Sequence, residues 1–319
     1  MTATSAAGVK STNKGISSQQ SVSRIGFRGE EDLGGGLKAN FTLEYYIEPD
    51  NGSGIGAGTA TGTASTARQA FGGISGGFGS LNVGTQTTFI ALTNGTSDFH
   101  GGVNTVGYSA GNNQNSRRTN MIQYTSPSFN GFTAAAQIGF AGAASANTGN
   151  NTAFRLAYAN GPLTVAAATE TTKLAALEIG NWGGTLNNDF ANVSRVTALS
   201  NALADRKRNA YGATYDLGVA KVGFTHSDAK AGSAADAGKF EVNSFGVSAP
   251  MGAITLNATM DSGKLTDSGA ASQKTSAYQL SAFYALSKRT NLYAIAGEQK
   301  NKATTAKDNQ YAIGLRHQF

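Results

Sequence analysis

The chain ends DNQYAIGLRHQF (308–319). Tyr311, Ile313, Leu315, His317 and Phe319 share one phase, and Gln310, Ala312, Gly314, Arg316 and Gln318 the other. Such period-2 alternation belongs to a β-strand with one apolar and one polar face. Chain termini of soluble domains commonly fray. An aromatic ring kept in register at the last position therefore asks for an apolar surface. A soluble core or a membrane interface would supply one.

The same alternation runs through most of the chain. In LKANFTLEYYIE (37–48), Leu37, Ala39, Phe41, Leu43, Tyr45 and Ile47 oppose Lys38, Asn40, Thr42, Glu44, Tyr46 and Glu48. GAITLNATMDS (252–262), AYQLSAFYAL (277–286) and NAYGATYDL (209–217) repeat the pattern. Strands are predicted at 20–29, 37–48, 66–75, 79–86, 119–126, 131–141, 152–159, 162–173, 208–216, 218–228, 240–248, 252–262, 275–285, 290–299 and 309–319.

The connections decide between the two settings. SGGFGS, ANGP, DLGV, APMGA and LSKRT are tight and carry Gly, Pro, Asn or Asp, as turns do. They alternate with long polar stretches at 49–65, 87–118, 142–151, 174–207, 229–239, 263–274 and 300–308. Hairpins of this rhythm put all short turns on one rim and all long loops on the other, as in transmembrane barrels. A wall in lipid must close, because unpaired backbone N–H and C=O groups find no water there. The predicted fold is an all-β, transmembrane antiparallel β-barrel, with Phe319 in its interfacial aromatic girdle.

Composition agrees. The 319 residues include 42 Gly, 4 Pro and no Cys; 14% are charged and 39% apolar. No stretch approaches the ~20 apolar residues of a membrane helix. The lack of Cys excludes disulfides and thiolate metal sites. The net charge of +6 is scattered, with no dense basic run, so nucleic acid is not expected as a partner. The opening MTATSAAGVKSTNKGISSQQ has no apolar core of a secretory signal and reads as loop over 1–19.

A barrel channel acts through width and field, so candidate residues must face inward. Ile25 and Phe27 take the outward phase, which turns Arg24 and Arg28 inward. Phe71 is expected outward and Arg68, three positions away, inward. Arg117 shares phase with Gln123, opposite Ile122 and Tyr124, and Arg118 competes with it for the inward place. Glu44 and Glu48 are the inward acidic candidates. The stretch 87–118 carries Asp98 against His100, Arg117 and Arg118. A ring of guanidinium groups attracts anions, unless Glu44, Glu48 or Asp98 pairs with it and cancels the field.

Other signals have plainer readings. EEDLGG (30–35) lacks the alternate-position ligands of a cation loop and reads as a solvated turn. The glycines of GGISGGFG precede no helix, so they read as places of close approach rather than a nucleotide loop. His100, His226 and His317 converge on no Ser–His–Asp set, and His317 reads as a girdle residue. The stretch 174–207, with Trp182, reads as a surface loop with a turn or two of helix. No catalytic residue, metal or cofactor is expected.

SRIGFRGEEDLGGGLKANFTLE (23–44), FGSLNVGTQ (78–86), RRTNMIQYTSPSFNGF (117–132) and the ending IGLRHQF together resemble the general diffusion porins of Gram-negative bacteria, in particular the beta-proteobacterial, anion-preferring type. The resemblance spans about residue 20 to 319. It implies a sixteen-stranded barrel in the outer membrane, usually a homotrimer among outer-membrane lipids. It also implies a constriction loop at 87–118 folded into the lumen, and passage of small anions and hydrophilic solutes. Arg24, Arg68 and Arg117 match arginines that line the narrow zone in related porins. One departure is expected: nothing resembles the family's first strand, so it is missing or poorly imitated by MTATSAAGVKST (1–12). The alternatives are an outer-membrane barrel enzyme and a secreted β-rich adhesin. The adhesin requires a short internal repeat, which the sequence lacks.

Overall fold

A computed structural model of the chain describes residues 2–4, 10–12, 23–47, 55, 67–99, 117–141, 150–176, 203–231, 238–267, 270–302 and 307–319. Two three-residue strands, β1 (Thr2–Thr4) and β2 (Lys10–Thr12), open it. Then come the hairpins β3 (Arg24–Gly34) with β4 (Leu37–Tyr46), β5 (Ala67–Gly76) with β6 (Gly79–Thr87), and β7 (Arg117–Thr125) with β8 (Phe132–Gly139). They continue with β9 (Asn151–Asn160) and β10 (Leu163–Ala176), β11 (Leu203–Asp216) and β12 (Lys221–Ala231), and β13 (Gly238–Met251) and β14 (Ile254–Asp267). β15 (Ala270–Ala285), β16 (Thr290–Asn301) and β17 (Lys307–His317) complete the sheet. From β3 to β17 every strand pairs antiparallel with the next.

All fifteen predicted strands are present, because alternation and turn chemistry are local signals. The hairpin at Asn130–Gly131 illustrates the turns: both residues have positive φ (49° and 86°), as a two-residue turn between twisted strands requires. Three expectations are corrected. The stretch 263–274 is not a long loop, since β14 runs to Asp267 and β15 begins at Ala270, and the two pair almost to their ends. The stretch 174–207 is not wholly loop or helix, since β11 begins at Leu203 and carries 203–207 into the wall. Its Lys, Arg and Asp side chains masked the strand pattern. The N-terminal segment is not all loop either: Thr2–Thr4 pairs with Lys307–Asn309 of β17. Among the described residues no full-length sixteenth strand closes the seam. Trp182, Glu48 and His100 lie outside the described residues.

The two faces separate as the alternation dictates. Tyr311, Ile313, Leu315 and Phe319 point outward and are 72, 87, 58 and 106% exposed. Phe27, Phe41, Val83, Phe154, Leu256 and Leu280 extend this apolar outer band. Such a surface is costly in water and favourable against acyl chains. His317 keeps the outward phase, bonds Thr290 Oγ1 through Nδ1 at 2.8 Å and meets the Phe319 ring edge-on at 4.7 Å.

On the other face a short segment folds against the wall. After β6 come helix α1 (Phe89–Asn94) and a 3-10 turn (Gly95–Ser97). Thr88 caps the helix, accepting from Ala91 N at 3.3 Å. Phe89 and Ile90 bury completely among Ala135, Ala153, Ala168 and Ala210 on the inner wall. Burying two such side chains contributes about 1.5–3 kcal/mol each. Gln137 anchors the segment's root. Its Oε1 accepts from Phe89 N at 3.3 Å, and its Nε2 donates to Thr87 O at 2.8 Å and Gln123 Oε1 at 2.7 Å.

Candidate functional site

Cross-strand partners in an antiparallel pair share a face. Arg24 stands opposite Tyr46 and Gly26 opposite Glu44, so Arg24, Glu44 and Tyr46 all face inward. Arg28 takes the same phase, opposite Thr42, and has no ion-pair partner among the described residues. Gln69 stands opposite Glu44 and Phe71 opposite Thr42. Phe71 therefore lies on the inner face, and its expected outward position is corrected. Arg68 still reaches inward because the register shifts between Glu44 and Tyr45, making a bulge at Arg68. A bulge re-aims one side chain against the pleat, which strict period-2 counting cannot foresee.

These residues meet. Glu44 Oε1 lies 2.5 Å from Arg68 Nε and Glu44 Oε2 lies 3.4 Å from Arg24 Nε. The Arg68 guanidinium carbon sits 5.3 Å from the centre of the Tyr46 ring, and Arg117 NH1 donates to Tyr46 Oη at 3.3 Å. Three guanidinium groups thus gather around one carboxylate, with Tyr46 holding two of them in place. The stacking over Tyr46 is worth about 0.5–1 kcal/mol at a partly exposed site.

Arg117 and Arg118 do not compete. A second register shift lies between Gly84 and Gln86, opposite this end of β7, and Asn120 takes a positive φ of 52°. Arg117 goes to Tyr46, while Arg118 goes to the opposite side of β7. Arg118 NH2 donates to Thr172 Oγ1 at 3.3 Å and lies 3.9 Å from Glu170 Oε1. Arg208 NH1 and Arg206 NH2 approach the same oxygen at 3.5 and 4.0 Å. Asn151 Nδ2 donates to Thr172 Oγ1 at 3.0 Å. This second cluster is buried, with Glu170 1% and Arg206 1% exposed. Here three arginines share one glutamate, on the inner face of the wall but buried.

Sequence reading missed Glu170, Arg206 and Arg208. The first is one polar residue in a Thr-rich strand, Arg206 stood in a presumed loop, and Arg208 opened the predicted strand 208–216 with no role assigned to it. Arg155 was also missed; its Nε donates to Thr93 Oγ1 of α1 at 3.3 Å. Arg316, in the inward phase of β17, lies close enough to Arg24 to feel its charge.

Asp98 stands on another side of the wall from Arg24, Arg68 and Arg117. It follows the 3-10 turn, which packs on β11, β12 and β13, and its carboxylate acts on Asp261 of β14. The inserted segment leans on the β9–β13 side, while Arg24, Arg68 and Arg117 stand on β3, β5 and β7. EEDLGG is corrected from a turn to the end of β3: Glu30–Gly34 pairs with β4, Glu30 bridges to Lys38 at 2.6 Å, Asp32 Oδ1 accepts from Gly34 N at 2.8 Å, and the turn itself is Gly35–Gly36. Among the described residues no group of His, Asp and Glu has the grouping of a metal site. His226 binds Asn243 Oδ1 at 2.8 Å and stacks on Tyr211.

Comparison with known proteins agrees with this architecture. A family model described as Gram-negative porin matches residues 1–304. An outer membrane porin of Bordetella pertussis is 30% identical, over 95% of this chain and 84% of its own length. Outer membrane porin protein 32 of Delftia acidovorans is 30% identical, over 88% of this chain and 75% of its own. Among solved structures, the anion-selective porin from Comamonas acidovorans superposes with a TM-score of 0.74, at 25% identity, covering 100% of this chain and 96% of that one. An outer membrane protein of Vibrio cholerae solved in a trimer form superposes at 0.68 over 93% of this chain and 91% of that one; at 15% identity it shows the fold alone. With an inner face, an apolar outer band and a family match over nearly its whole length, the chain belongs to the Gram-negative porins, passive diffusion channels of the outer membrane.

Proposed function

We propose that this porin prefers anions, and that Arg24, Arg68 and Arg117 set the preference, with Arg28 adding to the same field. The observation that carries the reading is the pairing of Arg24 and Arg68 with the one carboxylate Glu44, with Arg117 held beside them on Tyr46. Glu44 answers part of that charge, while Asp98 follows the 3-10 turn that packs on β11, β12 and β13. A fixed positive potential on one side of a narrow aqueous passage raises local anion concentration and lowers the barrier to anion entry. The stretch 87–118, whose described part Phe89–Phe99 leans on the far wall, is the constriction loop in this reading. Small anions and hydrophilic solutes are the cargo. The apolar outer band supports contact with outer-membrane lipids and, as in the trimeric form of the Vibrio cholerae neighbour, assembly as a homotrimer.

Purified protein in a planar bilayer under a salt gradient tests this. Stepwise conductance with a reversal potential of anionic sign is expected. A reversal potential of cationic sign rejects the preference, and hydrolysis of lipid or peptide without conductance would favour a barrel enzyme.

A further inference from the structure

Three glycines on neighbouring strands of the inner wall are filled by the inserted segment. Gly212 (β11) stands opposite Thr225 (β12), and Gly223 (β12) opposite Gly246 (β13). All three are buried. A Cβ on Gly212 would stand 2.9 Å from Thr93 O and 2.9 Å from Thr96 Cβ. On Gly223 it would meet Phe99 Cζ at 3.0 Å and Ser97 Cα at 3.1 Å, and on Gly246 Ser97 O at 2.7 Å and Phe99 Cδ2 at 2.8 Å. Between them the Ser97 and Thr225 hydroxyls bond to each other. Glycine within a strand weakens it by about 0.5–1 kcal/mol relative to alanine. Three such positions in one patch therefore indicate a close backbone approach that the wall is shaped to accept.

We propose that Gly212, Gly223 and Gly246, with Thr225 as a latch, form a seat that fixes how far the inserted segment stands from the arginine-bearing wall, and so sets the bore of the channel. These are positioning residues: they act through the segment and touch no solute. The segment lies between its seat and the passage, so anything that lifts it narrows the way past Arg24, Arg68 and Arg117. The inference rests on the channel reading. A parent protein without conductance would remove that reading itself, whereas a conducting parent with unaffected variants would remove only the seat.

Single-channel conductance of Gly223→Ala and Gly246→Ala, in protein that keeps its barrel by circular dichroism, tests the seat. A lift of about 0.5 Å in a passage several ångströms wide removes roughly a tenth of its cross-section, and a similar fractional loss of conductance is expected. The Phe99→Ala background separates the two sites. There Gly223→Ala should add a smaller loss than in the parent, because the ring is gone and only Ser97 Cα at 3.1 Å remains to be met. Gly246→Ala should still lower conductance, because it meets the Ser97 carbonyl. Should the glycine variants fail to fold, Thr225→Val removes the latch without adding bulk, and more frequent closures under applied voltage are expected. Parent-like conductance in both glycine variants, a Gly223→Ala loss undiminished in the Phe99→Ala background, or parent-like gating in Thr225→Val would each overturn the proposal.

Discussion

Glu44→Gln keeps the shape of the side chain that bridges Arg24 and Arg68 and deletes its charge. The bridge is short on one arm, 2.5 Å to Arg68 Nε, and looser on the other, 3.4 Å to Arg24 Nε. A monovalent ion passing about 6 Å from a unit charge in largely aqueous surroundings (effective dielectric about 60) feels roughly 0.9 kcal/mol. Screening over a Debye length of about 10 Å at 0.1 M salt reduces this to roughly 0.5 kcal/mol. The term has opposite signs for anion and cation, so their permeability ratio should move by about 1 kcal/mol, or roughly fivefold, toward anions. Arg68→Gln should move it by a similar factor the other way. The assay is the reversal potential across a bilayer with a salt gradient, repeated at high salt, where both shifts should shrink. An unchanged ratio in Glu44→Gln, or a shift toward cations, would refute the idea that ions pass within reach of this cluster.

Further outcomes follow from the same geometry. Arg117→Ala should lower anion preference several-fold with little loss of stability, while Arg118→Ala should do the reverse, seen as a lower thermal transition. Glu170→Gln leaves three guanidiniums around a neutral amide and should cost about 3–5 kcal/mol, read from denaturant unfolding in detergent. Gln137→Ala strips the root of the inserted segment of its bonds to Thr87, Gln123 and Phe89, worth about 1–3 kcal/mol if the partners stay buried; more frequent closing under voltage is the expected readout. Ile313→Arg places a charge on the lipid face and should cost about 2–4 kcal/mol in folding into vesicles, whereas Ala312→Arg, in the inward phase, should cost less.

By itself the sequence determined the wall. Strand positions, inward and outward phase, turn sites and the rhythm of loops follow from nearest-neighbour chemistry, because a pleated strand repeats every two residues and a turn needs its own residue types. Arg24, Arg28 and Glu44 were legible for that reason, as were Phe319 and His317 on the outer face. Tertiary structure alone decided the rest. Two register shifts turned Arg68 inward beside Phe71 and sent Arg117 to the Tyr46 hydroxyl and Arg118 toward Glu170. Glu170 found Arg118, Arg206 and Arg208 across strands far apart in the chain. Asp98 went to the far wall because Phe89, Ile90 and the glycine seat drew its segment there. Bulges and cross-barrel neighbours leave no period in the sequence: they are fixed by which strands stand side by side, and only the folded sheet brings those together.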